Sequence, residues 1–128
     1  ELIIDNAIEA LKQTCEKTGA TVTAFTAAPV FMDNGKKGAH EWIIEYSTPP
    51  ADLENFADIL DSELKKVNSD YEAKRYKDMS LQRLILHAAR PNLFTDWLKE
   101  KGKLGGQNKV PQLWNDRTHI DELLKMNS

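Results

Sequence analysis

The stretch ATVTAFTAAPVFMDNGKKGAHEWIIEYS, residues 20–47, decides the fold. Its first part, ATVTAFTAAPVF, is rich in β-branched residues and reads as a strand that Pro29 stops. DNGKKG, residues 33–38, is a turn, with Asn34-Gly35 its strongest signal. HEWIIEYS then sets His40, Trp42, Ile44 and Tyr46 on one face against Glu41, Ile43 and Glu45 on the other, the period of a strand. The simplest arrangement of the two strands is an antiparallel hairpin. The connecting loop exceeds two residues, so a tight primed turn is not required.

Helices flank this hairpin. Upstream, Ile3, Ile4, Ala7, Ile8, Leu11 and Cys15 recur at helical spacing and predict an amphipathic helix from about Leu2 to Lys17. Gly19 is the residue suited to a left-handed cap at its end. Cys15 falls on the apolar stripe and reads as a buried small hydrophobe. Downstream, Thr48-Pro49-Pro50 precedes a helix whose stripe is Leu53, Phe56, Ala57, Leu60, Leu64 and Val67. DYEAKR opens a short second helix, with Ser69 and Glu72 spaced as a capping box. Asp70 with Lys74, and Tyr71 with Arg75, lie four apart and share helix faces. LQRLILHAAR, residues 81–90, reads as a third strand. After Pro91-Asn92, Leu93, Phe94, Trp97 and Leu98 mark a helix that Gly102 ends. THIDELLKM closes the chain as a helix capped by Thr118, with Asp121 and Glu122 in its first turn. Strands and helices mix around a hairpin, so the expected class is α+β: a small mixed sheet with helices packed on it.

The totals exclude several functions. The 128 residues suit one domain, and 41% apolar with 29% charged residues is ordinary globular composition. A formal charge of −3 argues against a nucleic-acid partner. No apolar run is long enough to span a membrane, and no signal-peptide pattern opens the chain. The single cysteine rules out an internal disulfide and fits a reducing compartment. The chain starts without Met inside a helical pattern, so a piece cut from a longer protein is expected; a mature or trimmed N-terminus reads the same. Neither a Walker loop nor a GxGxxG motif occurs. His40, His87 and His119 are too scattered for a metal motif, so no metal site is expected. His119 reads as structural or solvated. Trp42 and Trp97 sit on periodic apolar faces and are core candidates. Trp114 is in a loop, where it either packs that loop down or lines a domain interface.

Three stretches carry a family resemblance: TGATVTAFTAAP (residues 18–29), LDSELKKVNSDYEAKR (residues 60–75) and GGQNKVPQLWNDR (residues 105–117). In that order they resemble the C-terminal domain of the auxin-responsive Gretchen Hagen acyl acid–amido synthetases, in their bacterial form. The resemblance covers nearly the whole chain. It implies a cytoplasmic enzyme that activates a carboxylic acid with ATP and Mg2+, forms an acyl-adenylate, and passes the acyl group to an amino acid amine. A large N-terminal domain holds the nucleotide and the acyl acid; the small α+β domain is a movable lid over it. This chain would be the lid, inactive alone and with no cofactor bound, and its partners would be that N-terminal domain and the small acyl and amino acid substrates.

The resemblance also assigns residues. Lys109 matches the lysine expected to enter the active site on closure. A mobile ammonium beside the α-phosphate and leaving pyrophosphate stabilises charge that grows in the transition state. Gly105 and Gly106 give the arm freedom, and Pro111 stiffens its far side. Gln107 matches the motif glutamine and either bonds substrate or holds the loop. Gln112 departs from the family's usual arginine; Arg117 is a spatial substitute by conjecture. Tyr71, Arg75, Trp114 and Arg117 are expected in structural or interdomain roles. A non-catalytic protein-interaction module is the alternative.

Overall fold

The computed structural model of the chain describes residues 2–102 and 110–127. The elements are α1 (Ile4–Thr18), β1 (Thr21–Phe31), β2 (Lys37–Thr48), α2 (Leu53–Val67), α3 (Ser69–Arg75), β3 (Ile85–Ala88), α4 (Leu93–Glu100) and α5 (Thr118–Met126), with a short turn at Tyr76–Asp78 after α3. Among the described residues the sheet has order β1-β2-β3. β1 and β2 pair antiparallel, and β3 lies parallel to β2. The class is α+β with a mixed sheet, as the sequence predicts.

The hairpin turn forms where Asn34-Gly35 places it. Gly35 takes φ 80°, a left-handed conformation that glycine adopts without steric cost. Its N–H donates to the Met32 carbonyl at 2.8 Å, and the Asn34 Oδ1 accepts from the Lys36 N–H at 2.9 Å. Pro29 does not stop β1, which continues to Phe31. The reason is geometric. Ala27, two residues before Pro29, points its N–H and carbonyl away from β2, toward residues 112 and 114. By the period of two, Pro29 turns its missing donor to that same outer edge. The β2 ladder loses nothing.

Both faces of the sheet are covered, which makes three layers. Phe25, Ala27, Trp42, Ile44 and Leu86 share one face and pack on α1, α2 and α3. Phe25 and Trp42 stack with centroids 5.5 Å apart. Ala28 and Ile43 share the other face and pack on α4 and α5. The alternation in β2 therefore separates two cores. Trp42 and Trp97 are both in the core, as expected.

Four local expectations need correction. The buried stripe of α1 is Ala7, Ala10, Leu11 and Thr14, whereas Ile3 and Ile8 are about half exposed. Alanines let α1 approach α2 closely, and Asn6 fixes the rotation by donating to the Val67 carbonyl at 3.2 Å. The short helix α3 is capped by Asn68, whose Oδ1 accepts from the Tyr71 N–H at 2.8 Å; Ser69 is already helical. Likewise Thr118 is the first residue of α5, and its N–H is taken by Asp116 at 2.9 Å. The third strand is shorter than residues 81–90: Leu81 gives its N–H to the Lys74 carbonyl before Ile85 begins the strand, and Asn92 at φ 66° leads into α4 after Ala88 ends it. No described helix is long and apolar enough to cross a membrane.

The corrected face of α1 is testable. Ala10→Leu forces a larger side chain into the α1–α2 contact and should cost about 1–3 kcal/mol in urea unfolding. Ile8→Ala, on the half-exposed side, should cost less than about 1 kcal/mol. The reverse ranking would restore the Ile3/Ile8 stripe.

Candidate functional site

Of the residues assigned to the arm, Gly105, Gly106, Gln107 and Lys109 lie outside the described residues. The structure does define the segment that follows them. The Pro111 carbonyl accepts from the Thr26 hydroxyl at 2.6 Å. Gln112 contributes its carbonyl to the Ala27 N–H at 2.9 Å, and the Trp114 N–H donates to the Ala27 carbonyl at 3.0 Å. Leu113 thus makes a one-residue parallel bridge along the outer edge of β1. This covers part of an edge that would otherwise expose unpaired backbone groups.

Arg117 closes the same edge beyond Pro29. Its guanidinium donates to the Pro29 carbonyl at 3.0 Å, to Glu41 at 2.7 Å and to Asp121 at 2.8 Å. Glu41 also meets His87 Nε2 at 2.6 Å. Burial disfavours the Glu41 charge, but hydrogen bonds from His87 and Arg117 outweigh it and hold the carboxyl below the usual range. Arg117 is therefore committed to tying the loop to the sheet and α5. Trp114 packs on His119, with centroids 4.1 Å apart, and His119 meets Trp97 edge-on at 5.1 Å. On the other side of the arm, Trp97 Nε1 and Lys101 Nζ both donate to Glu122, at 3.1 Å and 2.7 Å. The two flanks of residues 103–109 are therefore both fastened to α5.

Tyr71 and Arg75 meet elsewhere, on the far side of the sheet. Both bind Asp61 of α2: Tyr71 Oη at 2.5 Å, and Arg75 Nε and Nη2 at 2.8 Å each, one to each carboxylate oxygen. The two-pronged contact fixes orientation as well as distance. All three side chains are buried. Burial works against the Asp61 charge, but the bonds from Arg75 and Tyr71 prevail and lower its pKa. Arg75 Nη1 also reaches Asp78 and the Leu81 carbonyl. Both side chains bind α2 rather than the sheet.

Asp61, Glu41, His87 and Glu122 escape the sequence reading. Asp61 left a usable signal. It stands four after Ala57 and one after Leu60, inside the apolar stripe of α2, where a carboxylate demands a buried partner. Glu41 shares its strand face with buried Ile43, a weaker sign of the same kind. Among the described residues no three His, Cys, Asp or Glu side chains converge as metal ligands.

Two outcomes follow from these networks. Asp61→Asn leaves the Arg75 charge buried without its main partner and should cost about 3 kcal/mol in urea unfolding. Because the native Asp61 pKa lies below the unfolded value of about 4, its contribution is complete above that pH and disappears as pH falls through the native pKa. The acid limb of the stability profile should flatten in the variant. Arg117→Ala should free the edge segment. Exchange of the Trp114 amide should then quicken by about tenfold, the loss of roughly one charge-assisted bond, while the Ile44 amide in the central strand stays protected.

The model of the GH3 family C-terminal domain matches residues 5–118. No curated protein matches the chain. Among solved structures, the fold is similar to a "GH3.15 acyl acid amido synthetase", with 17% identity and a TM-score of 0.68 over 96% of this chain and 22% of that one. It is equally similar to "AtGH3.15 acyl acid amido synthetase in complex with 2,4-DB", with 16% identity and a TM-score of 0.68, over 96% of this chain and 23% of that one. The chain thus spans less than a quarter of the length of the synthetases whose fold it shares. The chain belongs to the GH3 family, and what it holds of that family is the C-terminal domain.

Proposed function

We propose that this chain is the moving lid of an ATP-dependent acyl acid–amino acid ligase. The observation that carries the reading is its span. The family's C-terminal domain matches nearly the whole chain, and the structurally similar synthetases are more than four times longer. The remainder of such an enzyme would hold the acyl acid and the nucleotide. Any Mg2+ would be held there too, beside the nucleotide phosphates.

In this reading the acid's carboxylate oxygen attacks the α-phosphorus of ATP, and the bond to the bridging oxygen breaks to release pyrophosphate. The amine of an amino acid then attacks the acyl carbon, AMP departs, and the amine loses a proton. Lys109 supplies positive charge to the first step, where negative charge gathers on the leaving oxygen. Gly105 and Gly106 give the arm its reach. The pairing of residues 112 and 114 with Ala27 fixes the point from which that arm extends. A lysine carried this way needs a rigid base, because a small misplacement costs much of the rate.

The test uses the chain joined to its upstream sequence, with acid-dependent pyrophosphate release measured across a panel of carboxylic acids. Lys109→Ala should lower the rate by about 10²–10³-fold, the effect of removing one preorganised transition-state contact. Lys12→Ala, an exposed lysine of α1, is the control. A rate within about twofold of the unaltered protein would remove Lys109 from the mechanism. No acid-dependent release from any member of the panel would remove the ligase reading itself.

A further inference from the structure

Met79 and Tyr76 are the two most exposed large apolar side chains among the described residues, at 77% and 62%. They stand at either end of one turn, where the Met79 N–H donates to the Tyr76 carbonyl at 3.1 Å. Met79 forms the lip of a cleft of about 560 Å³ between the hairpin turn and α3, with Met32, itself nearly half exposed, and Leu2 on its other walls. The fold does not leave Met79 outside by default. Leu81, two residues on, is buried. The turn between them and α3 carries two consecutive left-handed residues, Lys77 at φ 51° and Asp78 at φ 57°. Non-glycine residues hold this conformation only under constraint, here the bond from Arg75 to Asp78. A constrained turn that presents apolar side chains to solvent points to a surface made to be covered.

Three observations say what covers it. Leu2, the first described residue, lines this cleft and also a smaller pocket bounded by Leu113 and Asn115. The entry of the chain into α1, the apolar lip and the base of the candidate arm therefore share one side of the domain. The chain matches a C-terminal domain and spans less than a quarter of the similar synthetases, so the bulk of such a protein joins it at the Leu2 end. A surface tethered there meets the cleft at high effective concentration, and a modest apolar patch suffices to hold it. Charge gives the third. Lys36, Lys37 and Lys74 stand around the cleft with one carboxylate, Asp70, which is paired with Lys74 at 3.2 Å. Rim charges of one sign orient a partner of the opposite sign rather than hold it. Ile8, also half exposed, borders a different groove with Leu11, Cys15 and Val22.

We propose that Leu2, Met32, Tyr76 and Met79 form the seat of the upstream part of the same protein, an apolar contact whose other side carries carboxylates opposite Lys36, Lys37 and Lys74. This rests on the reading of the chain as a C-terminal lid, and it names the side of the lid that the rest of the protein meets. No residue of 103–109 takes part.

The test uses the chain joined to its upstream sequence. The photoreactive substitutions Met79→p-benzoylphenylalanine and Tyr76→p-benzoylphenylalanine are made singly, with Ile8→p-benzoylphenylalanine as the control, and the crosslinked peptides are identified by mass spectrometry. The expected result is crosslinks from residues 79 and 76 to peptides upstream of Glu1 within one polypeptide, and none from residue 8. Adding Met79→Asp should lower the docked-to-undocked ratio read from residue 76 by about tenfold, the loss of one buried methionine side chain. Crosslinks only to a second copy, crosslinks confined to this domain, or upstream crosslinks from residue 8 equal to those from residue 79 would overturn the proposal. The same protein separates this from the ligase reading. Upstream crosslinks without acid-dependent pyrophosphate release keep the seat and remove the chemistry; release without upstream crosslinks removes the seat alone.

Discussion

The two-pronged contact between Arg75 and Asp61 is the constraint on which the described structure turns. It locks α3 onto α2 at a fixed angle, since both carboxylate oxygens are engaged. The same guanidinium then reaches forward to Asp78 and the Leu81 carbonyl. One side chain thus sets the helix, the left-handed turn after it, and the path by which the chain returns to β3. A buried ion pair is often no more stabilising than apolar packing of equal volume. What it adds here is direction. Leucine in place of Arg75 would fill space without specifying where residues 77–81 go. With those residues set, Met79 and Lys74 face the hairpin across the cleft.

The opposite side of the sheet solves a different problem. β1 is an edge strand, and its outer backbone groups need partners or cover. Three devices meet along it. Leu113 bridges Ala27, Pro29 presents no donor, and Arg117 takes the Pro29 carbonyl. Together they fix the chain just past the candidate arm without a full fourth strand. A single bridge holds the base and ends there.

The architecture was legible where periodicity carries it. The hairpin turn at Asn34-Gly35, the stripe of α2, the core roles of Trp42 and Trp97, and the mixed sheet all follow from local pattern. The errors share a cause as well. In α1, isoleucines outweighed alanines in the reading, although close helix packing selects small residues. At Pro29, the proline was read without knowing which edge its missing donor would face. Most of the polar network was illegible for a plainer reason. Asp61 meets Arg75 across 14 residues, Glu41 meets His87 across 46, and Glu41 meets Arg117 across 76. No local spacing rule spans such distances. A carboxylate set inside an apolar stripe shows that a partner exists, not which residue it is. The candidate arm was legible only through its family motif. Composition alone made Lys109 one of many lysines.

The two basic features of this domain then differ in kind. Lys109 belongs to a stretch between two fastened flanks, with Lys101 and Trp97 held by Glu122 before it and Trp114 held by Ala27 after it. Under the proposed function, a charge there is delivered from a base that the described flanks hold in place. Lys37 and Lys74 are instead held by secondary structure, on β2 and on α3, and α3 is clamped by Arg75. The spacing of these two is set by the fold of the domain itself. Trp114, paired at Ala27, is the described point from which the proposed arm would extend.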